Sequence, residues 1–515
     1  MTLSGQQRDA LYAHVANLLL DSVHDTGDPN TVDALLSEIA SVTHKAMSDV
    51  VETWNRKACG PICSLPIELL AQAFSWLDLP DRVKVTGVSR YIRSVALGQP
   101  SLWTQITLDP TTPHLPDTLA LLLERSGRAT LDVDIYAWSE DATAQLAPHV
   151  RRMRALIIRQ TFSTAWIFEQ PAPLLEVLQI PSPTVERGIL DPTFLHIVLP
   201  SPTWAPLLRR LELPSTFVLP SNNSSGSFDR VTYFSAHVTA DGDADTDARR
   251  LFEVFPSLEI LELFFSTDTS VHNMPNTPIP RTLVDLRLYS HGDGHSIAAF
   301  LALCNGHPFK RVQLVCRRAQ LGTAAVEHVR SVASGPWDFE FNNNNGRGTF
   351  KLDDGAVYEI DCSQAGMELK DLRAAFDSLG SIVMPSYLFS EQLVEAFHLP
   401  ALRSITLQGS FLRRAYWDDS SSGRLRVPKL QTLRIEPWQY EWEDGVTEMQ
   451  DCSQYTKGLV RRLTVEDGSA LPRIPRFVLS KAGREYVGAE CWAWIYSHAS
   501  SVHVEDETVW QQTDK

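Results

Sequence analysis

The stretch Pro256-Ser257-Leu258-Glu259-Ile260-Leu261-Glu262-Leu263 carries the pattern that most of the chain repeats. Its apolar residues follow the order hydrophobic, two variable, hydrophobic, one variable, hydrophobic. The closing alternation Leu261-Glu262-Leu263 suits a short strand with one buried face. The same order returns at Met153-x-x-Leu156-x-Ile158, Leu175-x-x-Leu178-x-Ile180, Leu208-x-x-Leu211-x-Leu213, Leu283-x-x-Leu286-x-Leu288 and Phe309-x-x-Val312-x-Leu314. It appears again at Leu402-x-x-Ile405-x-Leu407, Leu430-x-x-Leu433-x-Ile435 and Val460-x-x-Leu463-x-Val465. Proline stands just before many copies, at Pro173, Pro206, Pro256, Pro308, Pro400 and Pro428.

The close intervals between middle positions are 22, 33, 25, 26, 28 and 30 residues. A unit of that length cannot bury its own apolar face, so neighbours must stack. Spacing and strand signature together resemble degenerate leucine-rich repeats. That resemblance implies an α/β chain whose repeat region is an irregular solenoid with a curved parallel sheet and helices outside. Helical stretches fall between the strands at 117–126, 141–152, 247–255, 296–305, 323–333, 368–379 and 391–397. Two longer gaps are expected to hide worn copies at Phe228-x-x-Val231-x-Tyr233 and Phe339-x-Phe341. An ordinary α/β sheet protein is the alternative.

Working outward, residues 6–57 read as a helical hairpin turned at Asp25-Thr26-Gly27-Asp28-Pro29, with Thr31 able to cap the second helix. Val32, Leu35, Leu36, Ile39, Val42, Met47, Val50, Val51 and Trp54 form its apolar stripe, expected to pack on the segment that follows. The run Leu65-Pro66-Ile67-Glu68-Leu69-Leu70 through Phe74 and Leu77 starts a three-helix unit. Ser64 can cap its first helix and Asp78 its second, ahead of Leu79-Pro80-Asp81. Val88-Ser89-Arg90 follows, and Pro100-Ser101-Leu102-Trp103 closes the unit. So many large apolar residues in so short a unit suggest a docking element, since each one left in water forgoes about 1.5–3 kcal/mol.

These residues resemble an F-box, with Ser89 where the family commonly has Cys and Ala73 where a larger aliphatic residue is usual. Together with the repeats, the chain is similar to the large fungal, basidiomycete-type F-box family. The resemblance implies a substrate-recognition adaptor of an SCF-type cullin-RING ubiquitin ligase. It would dock on a Skp-type linker, and through it a cullin, and present a protein target on the repeat domain. Leu65, Pro66, Leu69, Leu70, Phe74, Leu77, Val88, Leu102 and Trp103 are the residues expected to face the linker or fix that surface, and Leu70→Asp to abolish binding. Candidate target-binding residues are the variable strand positions Glu212, Glu262, Arg287, Gln313, Thr406 and Arg434, which point away from the core leucines. The domain reading is 1–57 hairpin, 58–104 docking unit, 105–470 repeats and 471–515 cap and tail. The aromatic run around Cys491-Trp492-Ala493-Trp494-Ile495-Tyr496 is expected to close the end of the repeat core. A non-catalytic scaffold whose F-box-like helices do not serve ubiquitination is the alternative.

Composition agrees with a folded protein: 43% hydrophobic and 21% charged residues over 515 positions. A formal charge of −16 argues against a nucleic-acid partner. Seven scattered cysteines suit a reducing compartment, and neither a leader nor a long apolar run is evident, so a soluble chain in cytoplasm or nucleus is expected. Cys59 and Cys63 supply two metal ligands without a second pair, and His291-Gly292-Asp293-Gly294-His295 reads as a polar turn. No nucleophile elbow, phosphate loop or zinc-protease motif occurs. Neither an enzyme nor a cofactor or metal is expected.

Overall fold

The computed structural model describes residues 5–23, 29–58, 65–109, 114–135 and 140–159 without a break. Beyond them it covers the strands and their flanking turns, and leaves out longer stretches such as 181–196, 239–249, 266–277, 317–327, 362–376, 410–424, 438–459 and 481–488. The chain forms two compact units, Met1–Val133 and Asp134–Lys515.

The first unit opens with helices α1 (Gly5–Val23) and α2 (Pro29–Ala58), which pair with each other. Helix α2 starts at Pro29, so Thr31 lies inside its first turn and is not the cap. Of the apolar stripe, Leu35 and Ile39 are half-buried, whereas Leu36, Val42, Met47, Val50 and Val51 are exposed. The helical spacing holds, but among the described residues the following segment does not cover these five positions. Next come α3 (Ile67–Ser75), α4 (Leu79–Val85) and α5 (Arg90–Leu97), a 3-10 turn at Pro100–Trp103, a strand at Gln105–Leu108, and α6 (Leu115–Arg125).

The second unit is built on a large, predominantly parallel sheet. From Met153–Ile158 it runs through Val177–Gln179, Arg210–Glu212, Tyr233–Val238, Ile260–Phe265, Asp285–Ser290 and Arg311–Cys316, all parallel neighbours. The recurrent proline has a local reason. Leu175, Leu208, Leu402 and Leu430 each donate their N–H to the carbonyl three residues earlier, at Ala172, Ala205, Leu399 and Val427. Pro173, Pro206, Pro400 and Pro428 therefore sit second in four-residue turns, where a φ fixed near −65° is preorganised.

After Arg311–Cys316 the order changes. The next neighbour across the sheet is Val357–Asp361, followed by Arg347–Lys351, Trp337–Asn342 and Leu379–Pro385. Three consecutive strands thus run backwards through the sheet as a meander, with Arg347–Lys351 antiparallel to both neighbours. Gly355 takes φ +85° in the turn that joins two of them, and its N–H donates to the Leu352 carbonyl at 2.9 Å. A side chain there would be strained. Phe339 does lie in a strand, but within this meander and not in a parallel copy of the repeat. Parallel order resumes with Ser404–Gly409, Thr432–Pro437, Ile474–Leu479 and Ala499–Val504, and Glu507–Gln511 pairs antiparallel with the last. Beside that strand, the helix Ala489–His498 buries Ile495 and leaves Trp492, Trp494 and Tyr496 half-buried.

One core row crosses the whole sheet in register. Leu156, Leu178, Leu211, Phe234, Leu261, Leu286 and Val312 lead into Tyr358, Phe350 and Phe339. Ile382, Ile405, Leu433, Phe477 and Val502 complete it. All are buried. Two sequence readings change here. The worn copy preceding Ile260–Phe265 is centred on Phe234, three residues later than the expected Val231. Leu463 belongs to a separate three-stranded sheet with Phe397–His398 and Leu425–Arg426, and Ile474–Leu479 takes its place in the main ladder.

Expected helices at 117–126, 141–152 and 296–305 correspond to α6, to Glu140–Leu146 with a 3-10 turn at Ala147–Arg152, and to His295–Leu303. Only Leu251–Val254 of the helix expected at 247–255 is described as α-helix. Those at 323–333, 368–379 and 391–397 fall largely outside the described residues, although Leu379 and Phe397 are strand residues.

His328 lies in this core at 4% exposure, against Phe309 and Tyr358 with ring centroids 5.9 Å away in each case. Burial pushes its imidazole down from the usual 6.5 to about 4. Between those values the unfolded chain takes up a proton that the folded chain refuses, so stability falls as pH drops through this window. Denaturant unfolding of the full chain at successively lower pH should show a loss of up to about 3 kcal/mol from this group. His328→Phe should flatten that dependence; an unchanged slope would place the acid sensitivity elsewhere.

Candidate partner-docking site

Helix α3 has two apolar faces, one turned inward and one outward. Leu70, Phe74 and Leu77, spaced i, i+4, i+7, lie on the inward side, Leu70 at 1% exposure and the other two half-buried. Leu69, Ala73 and Trp76 have the same spacing one residue earlier and are exposed, Leu69 at 49% and Trp76 at 85%. Leu65, Pro66 and Ile67 before them are exposed, as are Val83 on α4 and Val88 ahead of α5. Local signals fix the helices. The Asp78 side chain accepts from the Asp81 N–H at 2.9 Å, with Pro80 in the first turn of α4. Ser89 Oγ accepts from the Ile92 N–H at 3.2 Å at the start of α5. At α3 the N-cap position is Pro66, while Ser64 lies outside the described residues.

Beneath this surface Leu102 and Trp103 form a plug. Trp103 Nε1 donates to the Ala96 carbonyl at 2.9 Å, and the Arg125 guanidinium lies 4.9 Å from the ring centroid. The buried Arg82 guanidinium ties the helices together. It donates to the Leu77, Leu102 and Ser75 carbonyls at 2.8, 2.7 and 2.9 Å, and more distantly to Gln105 Oε1 at 3.4 Å. Burial lowers its pKa and the Asp78 charge opposes the shift; an arginine remains cationic regardless. A groove of about 930 Å³ runs between the end of α3, the start of α4 and the strand Gln105–Leu108, lined by Trp76, Leu79, Val83, Gln105 and Thr107.

Three short helices closed by a Leu-Trp plug and carrying an exposed apolar face find a match among known families. Residues 62–109 fit the F-box-like family. F-box domains are typically non-catalytic adaptors that bind a Skp-type linker and so a cullin. Comparison with curated proteins finds no match.

The F-box-like domain separates the residues expected to serve docking into two groups. Leu65, Pro66, Leu69 and Val88 are at the surface. Leu70, Leu102 and Trp103 are core, and Phe74 and Leu77 are half-buried, so these five fix the surface from below. A charge at Leu70 would therefore unfold α3 instead of removing one contact. Ile67, Trp76 and Val83 are exposed apolar residues absent from the expected set. The one-residue offset between the two i, i+4, i+7 series was the signal for Trp76. Of the two departures from the family pattern, Ala73 is exposed, and Ser89 supplies the α5 cap.

In the second unit, all six candidate target residues fall in one row across the sheet. Glu212, Ser235, Glu262, Arg287 and Gln313 are register neighbours, then Glu359, Thr349, Glu340 and Val383, then Thr406 and Arg434. Most are half-buried, whereas Thr406 is 8% exposed and offers little surface. Tyr233, absent from the expected set, donates its hydroxyl to Glu262. Among the described residues no group of His, Cys, Asp or Glu could hold a metal ion, and no helix is long and apolar enough to cross a membrane. Cys59, Cys63, His291 and Asp293 lie outside them.

Replacing Arg82 by Leu should leave three carbonyls unpaired and destabilise the F-box-like domain by about 2–4 kcal/mol, with Arg82→Lys intermediate. Hydrogen exchange over α3 and α4 reads this directly; unchanged protection would show that the guanidinium is dispensable. Ser89→Ala should cost about 1 kcal/mol through the lost cap, seen as faster exchange in the first turn of α5.

Proposed function

We propose that the chain is the substrate-recognition adaptor of an SCF-type cullin-RING ubiquitin ligase. The F-box-like domain docks on a Skp-type linker, and the second unit, read as an irregular leucine-rich-repeat-like domain of the fungal kind, presents a protein target. The observation that carries this reading is the coincidence of the family match at 62–109 with an exposed apolar face of Leu65, Leu69, Trp76 and Val88 over a buried Leu70, Leu102 and Trp103. No reacting group on this chain is required. Tethering raises the effective concentration of target lysines near a conjugating enzyme held elsewhere on the scaffold. Such an adaptor works in cytoplasm or nucleus.

Co-expression with a Skp-type linker should give a stoichiometric complex that brings cullin with it. Leu65→Ala/Pro66→Ala and, separately, Leu69→Asp should lose the linker while the chain stays folded, because these residues lie at the surface. A folded chain that ignores the linker would sink the adaptor reading and favour a scaffold whose helices serve internal structure. Linker without cullin would equally favour a scaffold.

A further inference from the structure

Among the described side chains of α1 and α2 none is buried. The two helices pair with each other, yet Leu35, Ile39 and Thr43 on α2 reach only half-burial. Helices in proteins draw most of their stability from packing an apolar face, and a hairpin that buries no side chain lacks that support. Along α2, Leu36, Val42, Met47, Val50 and Val51 are 45–69% exposed, and along α1, Tyr12, Leu18 and Leu20 are 45–78% exposed. Apolar residues scattered singly are ordinary on a surface. Here Leu36, Ile39, Thr43, Met47, Val50 and Val51 fall within about 120° of the circumference of one helix, and so form a single face.

The order of that face reads the same from either end. Leu36, Ile39, Thr43, Met47 and Val50 stand at −7, −4, 0, +4 and +7 about Thr43. Spacings of three and four keep neighbours on one side of a helix. Laying α2 against an antiparallel copy about Thr43 therefore sets Leu36 opposite Val50, Ile39 opposite Met47, Leu35 opposite Val51 and Ala40 opposite Ala46. Such self-complementarity is what a two-fold interface requires, since residue i meets j and j meets i. Charge tolerates the same alignment. Asp33 opposes Thr53, Glu38 opposes Ser48, Lys45 opposes Ser41 and Asp49 opposes Ser37, so no two like charges meet. A parallel, in-register pairing would set each of these charges beside its own copy. Antiparallel helices also place opposite ends of their macrodipoles together.

The area suffices. With 30 and 19 residues, α2 spans about 45 Å and α1 about 28 Å, each roughly 10 Å across. Two copies of α2 alone would cover roughly 900 Å² in all, short of the about 1,200–2,000 Å² of stable complexes. Two whole hairpins would cover roughly 1,500 Å², which lies inside that range. We propose that this face holds a second copy of the chain. The two hairpins pack about a two-fold axis at Thr43, α2 antiparallel to α2, with the exposed apolar residues of α1 completing the contact. The product is a four-helix bundle that joins two chains into a homodimer. Both helices lie outside residues 62–109, so the inference is independent of the adaptor reading.

The test measures the mass of the full chain in solution, by light scattering after gel filtration, over a dilution series in the micromolar range. Wild type should have twice the mass of one chain. Leu36→Glu and Val50→Lys should each weaken the dimer about hundredfold, because a substitution enters a two-fold interface twice. Both positions are exposed, so both variants should keep the circular dichroism of the wild type. Mixed one to one, L36E and V50K should dimerise again. In the mixed dimer the new carboxylate opposes the new ammonium, and the other pair is still Leu against Val. Leu121→Glu on α6, at a leucine 43% exposed in the same unit, is the control and should leave the dimer intact. A single-chain mass for the wild type would overturn the proposal and assign the stripe to a different protein. A dimer indifferent to both variants would overturn it by placing the interface elsewhere, and variants that fail to recombine would refute the antiparallel pairing.

Discussion

Register along the sheet is the constraint on which the larger unit depends. Successive side chains of a strand point to opposite faces, so a slip of one residue would exchange core for surface along that strand. The buried row from Leu156 to Val502 prevents such slips, because a displaced leucine would forgo about 1.5–3 kcal/mol in water. Locking that row also locks the row beside it. Glu212, Glu262, Arg287 and Gln313 come into line because Leu211, Leu261, Leu286 and Val312 do. Even the reversed meander obeys the rule: Tyr358, Phe350 and Phe339 continue the core row although one of their strands runs antiparallel.

The F-box-like domain is stabilised differently. Three short helices have little core, and part of the cohesion comes from one buried cation shared among carbonyls at the end of α3, just beyond it, and in the Leu102–Trp103 plug. Those carbonyls have no regular helical partner at a helix end, and a guanidinium can satisfy several at once. With the plug fixed from within, apolar residues on the other side of α3 stay exposed. Buried Leu70 and exposed Leu69, adjacent in sequence, show how abruptly the inward face of this short helix gives way to the outward one.

Much of this was legible in residue order. Strand signatures marked much of the main ladder, four-residue turns account for the prolines, and the three short helices are signalled by apolar spacing and by the Asp78 cap. What escaped has physical causes. Val357–Asp361 and Leu379–Pro385 lack the full signature, and strand order depends on which edges meet rather than on which strands are consecutive. The offset at Phe234 arose because Phe228, Val231 and Tyr233 mimic the pattern three residues early. The exposed hairpin stripe has the same kind of cause: periodicity reports only that a face is apolar and says nothing about what lies on it.

Local conformation and the alternation of buried and open positions follow from residue order, since capping, turn preference and periodicity act over a few neighbours. Residue order also determined the resemblance that points to an F-box, carried by an ordered string of residues from Leu65 to Trp103. Packing in three dimensions brings three strands into the sheet in reverse, shares Arg82 among distant carbonyls, and sets Ser235 in register between two glutamates. Those features join residues tens of positions apart, and a side chain's neighbours across strands are set by packing and not by distance along the chain.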